Sequence, residues 1–147
     1  MIRKQGAKGR RGRAGQAVVE FALILPVFMV LVFGTLEFGR AFFDIHLITN
    51  AARSGARLGC LPGKVETNVS STVTSFMTAV GLSGAYTTTT VVKDQTGTVR
   101  AGGLAVSQEG DTVTVTVAYP FVVHAGSIVP GLRGTMTLHG RCAFRHE

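Results

Sequence analysis

From Ala17 to Leu36 the chain is apolar except at Glu20 and Pro26, and no other stretch limits its fold as strongly. These twenty residues, at about 1.5 Å each in a helix, reach roughly 30 Å, the thickness of the hydrocarbon core of a bilayer. The run can therefore span a membrane. The chain beyond it has the size of one modest folded module, which predicts a single domain rather than a multi-domain enzyme.

The formal charge of +7 would suggest a nucleic-acid binder if it were spread over the chain. Six of the fifteen basic residues, Arg3, Lys4, Lys8, Arg10, Arg11 and Arg13, precede the apolar run in a segment without an acid. From Gln16 onward nine Lys or Arg face eight Asp or Glu, so the body is close to neutral. Basic residues beside an apolar helix stay on the cytoplasmic side, which predicts the N-terminus inside and the module outside. This predicts inner-membrane lipid rather than nucleic acid as the partner. Residues 1–14 have little to bury, and are predicted to be disordered or to lie on anionic headgroups.

A removable secretion signal has a shorter apolar region, about 7–15 residues, followed at once by a small-x-small site. Gly34, Thr35, Leu36, Glu37 and Phe38 offer no such site. Glu20 costs on the order of 3 kcal/mol if held at the bilayer centre, and less near the interface, where the positive end of the helix dipole also favours it. Pro26 removes one backbone donor and crowds the turn before it, which predicts a kink between Ala22 and Pro26.

The basic leader ending in Gly15, then Gln16, Ala17, Val18, Val19, Glu20 and Phe21, resembles the processing site of type IV prepilin-like proteins, with Glu as the fifth residue after the glycine. Glu37, Phe38, Gly39, Arg40, Ala41 and Phe42, then Thr49 to Arg57, are similar to the TadE-like family, pseudopilins of the tight-adherence pilus system. The resemblance is dense over residues 15–59 and only architectural beyond. It implies a minor pilin cut by prepilin peptidase between Gly15 and Gln16. It also implies that Glu20 pairs with a new N-terminal amine when subunits pack, fixing their axial register. The implied partners are the peptidase, other pilin and pseudopilin subunits, and the pilus assembly platform, with adhesion to surfaces as the outcome.

Beyond the run, Phe38, Phe42, Ile45, Thr49, Ala52 and Ala56 recur at three- and four-residue steps, which predicts one helix from about Gln16 to Leu58. Phe38, Phe42, Ala52, Gly55 and Ala56 are its candidate packing residues. Glu37, Arg40 and Asp44 read as a solvated charged face. Arg53 and Arg57 lie one turn apart, placed to bridge to the module or to a neighbouring subunit. Gly59 to Gly63 ends the helix, and Val65, Val69, Val73, Phe76 and Val80 predict a second one. Asn68 opens a glycosylation sequon, which on a helix carries little meaning.

Strands are predicted at Tyr86 to Lys93, Thr112 to Tyr119 and Thr135 to Phe144, with a weaker one at Thr98 to Ser107 broken by Gly102 and Gly103. The expected fold is α+β: a long N-terminal helix, a short second helix, and a three- or four-stranded antiparallel sheet on the outer half of the long helix. The expected division is leader 1–15, membrane half 16–37 and outer module 38–147.

Cys60 and Cys142 both fall beyond the membrane, where an oxidising compartment permits a disulfide; two buried thiols are the other reading. His139 and Cys142 alternate to opposite strand faces, so with His146 they do not make a metal site. No phosphate loop, dinucleotide fingerprint or nucleophile elbow is present, Glu109 and Asp111 read as hairpin residues, and His46 and His124 as surface residues. The sequence thus predicts neither an enzyme nor a cofactor. A permanently anchored periplasmic scaffold or binding domain is the alternative function. Loops 94–103 and 124–134 are where adhesive contacts would sit.

Overall fold

The computed structural model describes residues 9–82, 84–124 and 134–146, with side chains from residue 15 onward. The first eight residues of the leader and nearly all of the 124–134 loop, one of the two proposed for adhesive contacts, lie outside these. The order is α1 (Gly9–Gly59), α2 (Glu66–Ala79), β1 (Thr87–Lys93), β2 (Thr112–Val122) and β3 (Thr135–Arg145).

Helix α1 has 51 residues, about 75 Å of rise. It starts at Gly9 rather than near Gln16, so the last part of the leader is helical and not disordered. The helix continues through Pro26. Within α1 lies the one helical stretch, among the described residues, that is long and apolar enough to cross a membrane, and none of its most apolar window is buried in the protein.

The outer half of α1 carries the module. Strands pair antiparallel in the order β1-β2-β3, and α1 packs against α2, β2 and β3. The alternating valines of β2 behave as their period requires: Val113, Val115 and Val117 are fully buried. Strand β2 runs on through Pro120, three residues past Tyr119. Proline is tolerated there because β1 stops pairing at Ala118, leaving only the β3 side to be hydrogen-bonded.

Small residues set the helix-to-sheet spacing. The buried face of α1 is Asp44, Ile48, Ala51, Ala52, Gly55, Ala56 and Gly59, displaced from the predicted stripe: Phe38 and Phe42 remain 69% and 53% exposed. A Cβ on Gly55 would stand 2.8 Å from Val73 Cγ2 of α2, and one on Gly59 would stand 3.2 Å from Val113 Cγ1 of β2. A Cβ on Gly140 of β3 would lie 2.5 Å from Ile48 C and 2.6 Å from Thr49 N, against the α1 backbone itself. In α2 the buried residues are Val69, Val73 and Met77, spaced by four, with Phe76 only partly buried at their side. The side chain of Asn68 accepts the Val65 N–H at 3.1 Å, so the sequon asparagine helps start this helix.

The weaker strand at 98–107 does not form. Val99 makes a single bridge to Lys93, then Gly102 and Gly103 take positive φ (109° and 60°) into a 3₁₀ turn, Gly103–Val106. Arg100 meets the buried Asp111 with a forked contact, Nη2 donating to Oδ1 at 2.9 Å and Nε to Oδ2, while Gln108 N–H donates to Oδ2 at 2.8 Å. Asp111 is thus a brace for the β1–β2 connection.

The Arg100 hydrogen bond, assisted by the Gln108 amide and the Arg100 charge, holds the Asp111 carboxyl below its ordinary range despite burial. A depressed carboxyl stabilises the fold above its unfolded pKa and loses that contribution as pH falls through the folded value. Thermal stability should therefore decline below about pH 4. The decline should be shallower in Asp111→Asn, which should also be less stable at neutral pH; parallel melting curves across pH for the two proteins check this. Asp94, held low by its Thr96 and Thr98 hydrogen bonds, should add a slope of the same sign that remains in the variant.

Candidate functional site

Among the described residues, the part with no packing partner is the inner half of α1. Between Ala17 and Leu36 most side chains are exposed, Leu23 to 73% and Phe21 to 64%. A continuous apolar surface of this kind marks contact with lipid or with other helices. A Cβ on Gly15 would meet nothing within 4 Å, and Gln16 Nε2 donates to Glu20 Oε1 at 3.2 Å. The carboxylate, little more than one turn beyond Gly15, is therefore already held by the side chain of Gln16. Further along, Thr35 Oγ1 returns a hydrogen bond to Leu31 O at 2.8 Å, which hides its hydroxyl from the apolar surroundings.

Just past the apolar run, Arg40 ties the helix to the sheet. Its Nη2 donates to Val122 O at 2.6 Å and its Nη1 to His124 Nδ1 at 2.7 Å. An arginine has only donors, so Nδ1 is the accepting nitrogen. The guanidinium also lies 4.5 Å from the centroid of the Phe121 ring and 3.5 Å from Glu37 Oε2. Glu37 Oε1 in turn accepts the His124 N–H at 2.8 Å. The Glu37–Arg40 pair is therefore a clamp joining the base of the outer helix to the end of β2, and not the solvated face expected of it. His124 is part of the clamp rather than an ordinary surface residue. Asp44, two turns from Glu37, is buried, and that burial raises its pKa against the opposing pull of Arg40.

The remaining candidates divide between core and surface. Ala52 and Ala56 are fully buried beneath α2 and the sheet with Gly55 between them, whereas Phe38 and Phe42 form an exposed pair, ring centroids 5.5 Å apart, next to His46. Cys142 faces Val115 in the β2–β3 register, at the level of Gly55 on α1. Cys60 lies five residues further along the chain, just past the end of α1, and opens beside Phe144 and Arg145. A bridge between the cysteines would have to close that offset.

Comparison with known proteins bears on the N-terminal part. Residues 15–57 match the family model described as TadE-like protein. No curated protein and no solved structure matches the chain. The matched stretch takes in Gly15, Glu20, Pro26, the clamp residues Glu37 and Arg40, and the small-residue face up to Ala56.

Proposed function

We propose, from the premise that residues 15–57 form a TadE-like domain of pilin type, that this protein is a minor pilin of a tight-adherence pilus. It is inserted with its N-terminus in the cytoplasm and its module in the periplasm, and prepilin peptidase cleaves it between Gly15 and Gln16. The observation that carries this reading is the division of α1. Its outer half is covered by the module, while its inner half presents an apolar surface that nothing among the described residues covers.

Such a surface suits two environments in turn. In the membrane it is solvated by lipid, and in a filament the same side chains pack against neighbouring helices. Cleavage would place an α-amino group on Gln16, whose side chain already contacts Glu20. Two opposite charges buried together cost less than either alone, so a Glu20–amine pair within or between subunits would define one axial stagger. Phe38 and Phe42, exposed above the apolar run, extend the contact surface outward, and Pro26 lets the helix adjust on leaving the bilayer. The role is structural, and no cofactor enters it.

The mass and N-terminal sequence of the protein recovered from cells with active prepilin peptidase test the proposal. The expected product begins at Gln16. An intact N-terminus there would instead support a permanently anchored periplasmic scaffold, and loss of the whole apolar segment would indicate a secreted domain.

A further inference from the structure

A groove of about 560 Å³ lies at the far end of the module, between the last turns of α1 and the end of β3. Arg53, Arg57 and Arg145 line it together with Ser54, Cys60, Leu61, Pro62 and Phe144. None of these lining residues is acidic, and none of the three arginines makes an ion pair among the described residues. Arg53 and Arg57 thus bring two of the nine basic residues of a near-neutral body to one depression. Arg57 has a local reason to be there, since a cation in the last helical turn complements the dipole. Arg53 has none, and like charges one turn apart on a helix repel. Arg145 lines the groove from the end of β3 but turns its Nη2 away, to 3.3 Å from where a Cβ on Gly110 would stand, so the charge of the groove is that of Arg53 and Arg57.

The apolar walls matter equally. Leu61 is 50% exposed and Phe144 is 38% exposed, both at the groove and both beyond the reach of the core. We infer that the groove docks an acidic peptide segment of a partner protein, one that alternates carboxylate and apolar side chains. Guanidinium forks receive the carboxylates in bidentate pairs, and Leu61, Pro62 and Phe144 receive the apolar side chains. An anionic lipid headgroup is the poorer occupant, because Arg53 follows Leu36 by seventeen residues, about 25 Å of helix above the apolar run. The inference stands apart from processing after Gly15 and holds for an assembled or an anchored protein.

The test uses the full chain in neutral detergent and a fluorescent tetrapeptide of alternating glutamate and leucine. Binding should weaken as salt rises, and should weaken by at least about tenfold in Arg53→Glu with Arg57→Glu. The glutamine–leucine counterpart should bind at least about tenfold more weakly than the glutamate peptide. The single variant Arg53→Glu, exposed on the helix surface, should also bind more weakly and guards against a double variant that fails to fold. Equal binding to the native and Arg53→Glu proteins would overturn the inference. So would full competition by citrate, which would reduce the groove to a simple anion site, or by phosphatidylglycerol nanodiscs, which would make it a lipid contact.

Discussion

Gly140→Ala is expected to destabilise the module by about 2–3 kcal/mol, lowering its melting temperature on the order of 10 °C. The added methyl would meet Ile48 C at 2.5 Å, Thr49 N at 2.6 Å and Ile48 O at 2.7 Å, all atoms of helix backbone. No rotamer change relieves such a contact, so β3 and α1 must separate. Separation would open the interface lined by Ile48, Val115, Val117 and Leu138, all buried. Gly55→Ala supplies the comparison. Its methyl would approach Val73 Cγ2 at 2.8 Å, a side-chain atom that can yield, and alanine gains about 1 kcal/mol of helix propensity over glycine. Gly39→Ala, with nothing within 4 Å, should be neutral or slightly stabilising. Thermal melts of the three variants in one detergent check the ranking, and a Gly140→Ala melt no lower than that of Gly39→Ala would refute backbone contact as the reason for this glycine.

The same close approach shows which parts of the fold were legible in the sequence. Val113, Val115 and Val117 alternate, and alternation on a half-buried strand admits one facing, so the core side of β2 could be read directly. Gly140 could be placed on the inner face of β3 by its period. That a helix backbone would rest on it could not be read, because nothing local marks which glycine serves a long-range contact. In α2, Phe76 and Met77 compete for the core. The expected stripe passes through Phe76, which is only partly buried, whereas the steps of four from Val69 through Val73 lead to the fully buried Met77.

Charged residues were the least legible. Glu37 and Arg40 look like a helix-surface pair until Val122 and His124, more than eighty positions later, are brought beside them. Arg53 and Arg57 look ordinary until Phe144, from the other end of the chain, is brought beside them at the groove. At Thr98 to Ser107, β-prone residues lost to the two positive-φ glycines, and Arg100 was used to brace Asp111 instead of continuing a ladder. Local periodicity thus located the elements, while the contacts that fix how they meet depend on residues far apart in sequence.

Glu20→Ala is expected to leave membrane insertion intact and to reduce incorporation into pili about a hundredfold or more, the equilibrium effect of losing one buried ion pair. Removing a carboxylate from an apolar helix favours insertion, so the membrane fraction should hold at least as much protein as before. Assembly should respond in the opposite sense. If Glu20 neutralises the Gln16 amine in the packed filament, its loss strands a cation among apolar side chains. Breaking a buried pair in that way costs about 3–5 kcal/mol, and each 1.4 kcal/mol is about tenfold in an equilibrium. Glu20→Gln separates charge from shape: it keeps the length and a hydrogen bond but cannot neutralise an amine, and should fail nearly as completely as alanine. Glu20→Asp keeps the charge on a shorter stem and should retain partial assembly. Immunoblots of sheared pili against membrane fractions measure both quantities in the same cells. Normal assembly of the glutamine variant would show that a hydrogen bond, rather than charge, sets the register. Normal assembly of the alanine variant would leave Glu20 with no part in packing, and the outward surface around Phe38 and Phe42 would then have to specify the stagger alone.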